Sequence, residues 1–159
     1  GNIKNIRAIF ELKFEEYSEA ALEKSWEWLN DPEIKRLTAT GDFDRTSQRI
    51  WFDNLKSKSD YFIRAVLIDD NVIGICGIKK ITSEDGEVWG YIGEKEYWGK
   101  AIGLQYLSYL LDYAKSINLK SVYAFVIKTN YMSMRLLERS GFKKEKEIEN
   151  GSVLLRFYL

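Results

Sequence analysis

The sequence predicts one α/β (α+β) domain over residues 1–159, with a mixed seven-stranded sheet covered by helices. Three observations predict it. The hydrophobic period is helical over much of the stretch before Lys56 and becomes strand-like from Tyr61. Read in chain order, the segments give the string β-α-α-α-β-β-β-α-β-α-β-β. With 159 residues, 45% of them hydrophobic and 14% aromatic, the chain has material for one sizeable core, and disorder is excluded.

Residues 6–14 read as a first strand. Residues 18–29 place Ala21, Leu22, Trp26 and Leu29 on one helical side. Asp31 caps a short helix that starts at Pro32, a residue suited to the first helical position, and runs to about Leu37. A third helix covers Thr46 to Lys56. Tyr61–Ile68 and Val72–Ile81 form a hairpin across Asp69-Asp70-Asn71, and Glu87–Gly93 adds a further strand. Lys100–Ile117 is a long helix with Gly103, Leu107, Leu110, Leu111, Ala114 and Ile117 facing inward. Ser121–Ile127 is an apolar strand, and the helix Tyr131–Ser140 stops at Gly141. Two last strands flank Asn150-Gly151, a strong hairpin signal. The mixed-sign run Lys143–Glu147 is expected to be a solvated strand edge.

Charge and composition exclude several classes. Lys plus Arg and Asp plus Glu both number 24, so no basic face for nucleic acid is indicated. No apolar run approaches the roughly 20 residues of a membrane helix, and Gly1–Phe14 lacks the order of a signal peptide. Histidine is absent, which removes Ser-His and Cys-His nucleophile pairs and most zinc sites; no metal is expected. The single cysteine, Cys76, sits in an apolar strand and reads as a small buried hydrophobe. A cytoplasmic setting is the default expectation.

The segment with chemical content is Glu87–Gly103, where a strand meets a Gly-x-Ala-x-Gly turn that opens the long helix. Small residues at 99, 101 and 103 allow close backbone approach, and the first-turn N–H groups of the helix have no intrahelical partner. Such a terminus favours anions, a pyrophosphate among them. It is neither a Walker loop, since Ala101 follows Gly99-Lys100, nor the three-glycine dinucleotide fingerprint.

Trp98-Gly99-Lys100-Ala101-Ile102-Gly103 resembles the Gln/Arg-x-x-Gly-x-Gly/Ala motif of the GNAT N-acetyltransferase family. Trp98 stands where Gln or Arg is usual, and Ala101 replaces the first glycine. The ribosomal-protein-acetylating branch commonly carries Tyr-Trp-Gly-Lys-Gly here. A second block, Asn130 to Phe142, resembles the family's Asn-x-x-Ser/Ala…Gly-Phe segment, and Trp28–Ile34 is similar to acetyltransferases of amino sugars. The resemblance implies acetyl-CoA as donor, helices on both sheet faces, and a central parallel strand pair that splays to admit the pantetheine arm. Those strands would be Glu87–Gly93 and Ser121–Ile127. The resemblance further assigns the backbone of Tyr91, Ile92 and Gly93 to the pantetheine, the amides from Trp98 to Leu104 (through Gly99, Lys100, Ala101, Ile102 and Gly103) to the diphosphate, and Asn130 to the pantetheine arm.

For catalysis the resemblance offers Glu87 as base, at a strand position where several GNAT enzymes hold a glutamate. The competing reading is a strand glutamate facing solvent or paired with lysine. Leu137 stands where many relatives have the tyrosine acid, so Ser133 is the alternative proton donor, or else an ordinary first-turn serine. Asn130 also reads as an N-cap. Trp51, Phe52, Tyr61 and Trp89 belong to the core or to the acceptor cleft. The acceptor is a small-molecule or peptide amine. A nucleotide-linked amino sugar is favoured by Arg45, Arg49 and Trp51 over a protein N-terminus or a polyamine. A non-catalytic CoA-binding module is the competing class, and a homodimer is one of the assemblies left open.

Overall fold

A computed structural model describes residues 10–159. Its elements are β1 (Lys13–Glu16), α1 (Glu19–Leu29), α2 (Pro32–Leu37), α3 (Arg45–Asn54), β2 (Phe62–Ile68), β3 (Asn71–Lys79), β4 (Glu87–Ile92), α4 (Ile102–Ser116), β5 (Ser121–Ile127), α5 (Tyr131–Arg139), β6 (Lys143–Glu147) and β7 (Ser152–Tyr158). The strands form one seven-stranded sheet in the order β1-β2-β3-β4-β5-β7-β6. Every neighbouring pair is antiparallel except β4 and β5, which run parallel.

Local chemistry sets the helix starts. The Ser18 hydroxyl accepts the Ala21 N–H at 3.3 Å to open α1. At α2 the Asp31 carboxylate accepts the N–H groups of Glu33 and Ile34, at 3.0 and 3.1 Å, with Pro32 in the first turn. Asp44 and Ser47 form a reciprocal capping box at α3, satisfying two otherwise unpaired donors. After α3 the chain tightens into one 3₁₀ turn, Leu55–Ser57.

Strand alternation sends side chains to two cores. On one face Val66, Cys76, Ile78, Val88 and Val122 pack against α4 and α5 through Leu107, Leu110, Ala114 and Leu137. On the other, Ile63, Ala65, Ile75, Trp89 and Tyr91 meet α1, α2 and α3 through Ala21, Trp28, Ile34 and Trp51. Each large side chain so buried contributes on the order of 1.5–3 kcal/mol. All five residues of β6 are exposed, and its Lys-rich edge discourages pairing with another sheet. Among the described residues no helix is long and apolar enough to cross a membrane.

Several boundaries differ from expectation. The first strand lies at Lys13–Glu16 rather than 6–14, because its ladder is limited to the partners Arg64–Leu67. Residues 6–9 of the expected strand lie outside the described residues. The long helix starts at Ile102 rather than Lys100, because Gly99 and Ala101 both adopt left-handed φ, +76° and +62°. Ile117, expected to face inward, falls at the helix C-cap and is 36% exposed, while the unanticipated Tyr106 is buried.

Candidate active site

The two central strands share a single register pair, Glu87 opposite Tyr123, beside a 3.0 Å bond from the Tyr123 N–H to the Gly86 carbonyl. Beyond that point β4 continues to Ile92 and β5 to Ile127 without pairing. Their divergence opens a cleft of about 710 Å³, walled by β4, β5 and the first turns of α4 and α5.

Which backbone groups face the gap follows from the register with β3. The Gly93 N–H donates to the Ile73 carbonyl at 2.8 Å, and Ile75 opposes Tyr91 without a register shift. In an antiparallel ladder the hydrogen-bonding direction alternates residue by residue. Tyr91 and Gly93 therefore spend their backbone groups on β3, while Gly90 and Ile92 turn theirs toward β5. Of the three residues assigned to the pantetheine, only Ile92 presents its backbone to the gap, and Gly90 had been missed. The Ile92 carbonyl already accepts the Trp98 indole N–H at 2.8 Å. The N–H groups of Gly90 and Ile92 remain directed at the cleft. Gly93 serves packing instead: a Cβ there would lie 1.9 Å from Cδ2 of Trp28.

Trp98, Gly99, Ala101, Ile102, Gly103 and Leu104 all line the cleft, whereas Lys100 is exposed outside it. Nothing lies within 4 Å of a Cβ built on Gly99, so its backbone meets open space. No side chain caps α4 at Ala101, which leaves the first-turn N–H groups pointing into the cleft. Gly103 has a packing role beside the one expected for its amide. A Cβ there would approach Cδ2 of Leu136 to 2.4 Å, so this glycine lets α4 close onto α5.

Asn130 caps α5 by accepting the Ser133 N–H at 3.2 Å, and its amide donates to the Leu37 carbonyl at 3.1 Å, tying the cleft wall to α2. It is 8% exposed, with both ends of the amide engaged by the protein. Ser133 lines the cleft one turn along, half-buried. Tyr131, by contrast, is 73% exposed. Glu87 also lines the cleft; it is buried and sits 3.5 Å from Lys79 Nζ and 3.8 Å from Lys80 Nζ. The solvent-facing reading of Glu87 is thereby excluded, and lysine pairing holds.

A scan against family models matches residues 11–143 to the GNAT acetyltransferase domain. The chain belongs to the GNAT acetyltransferase family. It is 31% identical to the uncharacterised N-acetyltransferase p20 of Bacillus licheniformis over 127 residues, covering 75% of this chain and 71% of p20. It is also 31% identical over 100 residues to an uncharacterised protein of Methanocaldococcus jannaschii; the match covers 61% of this chain and spans only a fifth of that protein's length. Among solved structures, a Methanocaldococcus jannaschii domain superposes with a TM-score of 0.85 at 23% identity, covering 95% of this chain and 100% of that one. The Campylobacter jejuni N-acetyltransferase PseH in complex with acetyl coenzyme A superposes with a TM-score of 0.71 at 18% identity, covering 94% and 99%. Acetyl-CoA is the donor this GNAT family uses.

Within the GNAT frame two further features stand out. Arg135 and Arg139, one turn apart on α5, line the same cleft and had not been singled out, although their spacing after Asn130 puts both on one helical side. A second cavity of about 390 Å³ adjoins the first, sharing Leu29, Thr40, Trp89 and Tyr91 with it. Of the four aromatics left unsorted, Trp51 and Trp89 line this cavity; Tyr61 lines the main cleft, and Phe52 lines neither. Arg45 and Arg49 lie outside both, held by Glu23 and Glu19 at 2.6 Å. Burial raises the Tyr17 hydroxyl at the cavity wall to about 12, against the smaller opposing effect of its hydrogen bond to Ser25.

Proposed function

We propose that this GNAT acetyltransferase moves the acetyl group of acetyl-CoA to the primary amine of a small molecule by direct attack on the thioester. A C–N bond forms, the C–S bond breaks, the amine gives up a proton and the departing thiolate takes one. The observation that carries this reading is a splayed strand pair leading to an uncapped helix N-terminus. That arrangement offers N–H groups to a diphosphate at one end and to a carbonyl at the other.

Each residue then has a part. The amides of Gly99 and Ala101–Leu104 receive the diphosphate, with Arg135 and Arg139 adding charge at the α5 wall; those of Trp98 and Lys100 donate instead to the Lys95 and Tyr97 carbonyls, at 3.0 and 3.4 Å. The Gly90 and Ile92 N–H groups meet the pantetheine and the acetyl oxygen; one such donor is worth about 3 kcal/mol to the barrier. Glu87 acts as base on the face shared with Trp89 and Tyr91. It lies four positions before Tyr91, about 13 Å along the strand, so the amine's proton reaches it through a water relay. Ser133 returns a proton to the thiolate from the opposite wall. Asn130 holds that wall in position, and Lys100 lies outside the donor's path.

Of the expected acceptors, the size of the second cavity, about 390 Å³, speaks for a small molecule over a protein N-terminus. An amino sugar fits through its ring rather than its nucleotide, because Arg45 and Arg49 are neutralised on the outer surface. We further assign the enzyme to the cytoplasm, a setting that suits its one unpaired cysteine. The test is release of CoA thiol from acetyl-CoA across a panel of amines. Turnover with at least one small amine is expected. Acetyl-CoA binding with no turnover on any amine would instead make the chain a binding module.

A further inference from the structure

The second cavity carries more information than its position. Its walls come from α1, α3 and the outer face of the sheet, and its lining is chiefly apolar and aromatic, with Phe43, Trp51, Ile63, Ile75, Trp89 and Tyr91 the main contributors. Among the described residues no lysine or arginine lines it. The one acidic residue, Asp42, has a side chain 95% exposed and is already paired with Lys35. A diphosphate inside this space would find no cation, and a second ammonium group would find no unpaired carboxylate. Burying either charge unpaired is prohibitive.

Gln48 is one of several polar residues that line the cavity, with Tyr17, Ser25, Thr40, Ser47 and Tyr91. Gln48 is 8% exposed, lines the space, and donates its amide N–H to the Leu22 carbonyl at 3.1 Å. That bond fixes the amide orientation, since only the nitrogen end can donate to a carbonyl. The amide oxygen takes no donor from the protein among the described residues. Nor is it sealed off: among them, the one buried side-chain polar atom lacking a partner is the indole nitrogen of Trp89. The Gln48 oxygen therefore keeps open surface, and the cavity is the open space this residue lines. The neighbouring hydroxyls are occupied within the protein, Tyr17 donating to Ser25 at 2.8 Å and Ser25 to the Ala21 carbonyl at 2.8 Å.

We propose that this cavity is the acceptor subsite and that it selects a primary amine carried on an uncharged, ring-sized body with an O–H or N–H donor, which the Gln48 amide oxygen accepts. The inference rests on the acetyl-transfer reading and deepens it. At about 390 Å³ the cavity lies within the range that encloses small ligands. The shared wall of Trp89 and Tyr91 lets the amine pass from the body's seat toward the splayed gap, while charged parts of a larger acceptor stay outside. Gln48 is a specificity-determining residue in this scheme and touches no reacting atom.

The test compares the isomeric aminocyclohexanols, cyclohexylamine and spermidine as acceptors at saturating acetyl-CoA, with binding of acetyl-CoA measured separately. At least one aminocyclohexanol should exceed cyclohexylamine and spermidine in kcat/KM by about 5- to 10-fold, the scale of one neutral hydrogen bond. Gln48→Leu should erase the advantage of the aminocyclohexanol over cyclohexylamine, with acetyl-CoA binding retained. Since that change also removes the bond to Leu22, a second variant guards against misfolding. Gly41 is an exposed residue of the cavity lining with nothing within 4 Å of a Cβ, and Gly41→Trp should raise acceptor KM alone. Direct binding is read from the indole N–H resonances of Trp51 and Trp89, which the favoured aminocyclohexanol should shift. Preference for spermidine, a hydroxyl advantage that survives Gln48→Leu, or ring amines that move neither resonance would overturn the proposal. If acetyl-CoA itself fails to bind, the acetyl-transfer reading fails instead.

Discussion

Ala101 is the residue whose substitution separates a ligand-shaped loop from an ordinary helix start. It holds φ +62° immediately before α4, a left-handed conformation in which the Cβ crowds its own carbonyl. An L-residue other than glycine costs roughly 1–2 kcal/mol in this conformation. Glycine removes that strain but loses about 0.5–1 kcal/mol more backbone entropy on folding than alanine. The balance predicts that Ala101→Gly stabilises the fold by about 0.5–1 kcal/mol, a rise of roughly 1–4 °C in Tm for a chain of this length. Ala101→Val, branched at Cβ, should destabilise by more than 1 kcal/mol and weaken acetyl-CoA binding. Denaturant unfolding at constant m-value measures the first pair of effects and calorimetric titration the last. If Ala101→Gly instead loses about 1 kcal/mol, as a glycine inside a regular helix does, the left-handed turn is refuted.

Four further outcomes follow from the same geometry. Gly93→Ala drives a methyl into the Trp28 ring and should cost about 1–3 kcal/mol, read as a lowered unfolding midpoint. Glu87→Gln should lower kcat by about 10²-fold with acetyl-CoA affinity preserved; an unaltered kcat removes Glu87 as base. Ser133→Ala should lower kcat by about 10²-fold with acetyl-CoA affinity preserved, and an unaltered rate discards the proton-donor role. Burial raises the Cys76 thiol from an ordinary 9.0 to about 12, so above pH 9 the unfolded chain loses this proton while the folded chain keeps it. Stability should be complete below pH 9 and fall toward pH 12 by up to about 1.4 kcal/mol per pH unit, as denaturant titrations at pH 8 and 11 would record.

Features governed by neighbours in the chain were legible from the residues. Asp31-Pro32 starts α2 with its carboxylate on two backbone N–H groups, and Asn150-Gly151 joins β6 to β7, both as local chemistry dictates. The Gly-x-Ala-x-Gly turn opens α4 beside a cleft because its conformational demands are written in its small residues. Features governed by distant pairing were not legible. Whether Tyr91 or Gly90 offers its N–H to the gap depends on the β3 register, which no spacing within β4 reveals. The packing role of Gly103 was hidden because its partner, Leu136, lies more than thirty residues away on another helix. Arg45 and Arg49 looked available for phosphate, yet Glu23 and Glu19 of α1 hold them, a match made only when α3 packs alongside. The first strand was misplaced for the same reason, its extent being set by β2.

Backbone hydrogen exchange with and without acetyl-CoA, resolved to single amides, tests the account most directly. Slowed exchange confined chiefly to Gly99 and Ala101–Leu104, together with Gly90 and Ile92 across the splayed strands, is the predicted result. Unchanged exchange at these amides on acetyl-CoA saturation, or protection concentrated on another face of the sheet, would contradict it.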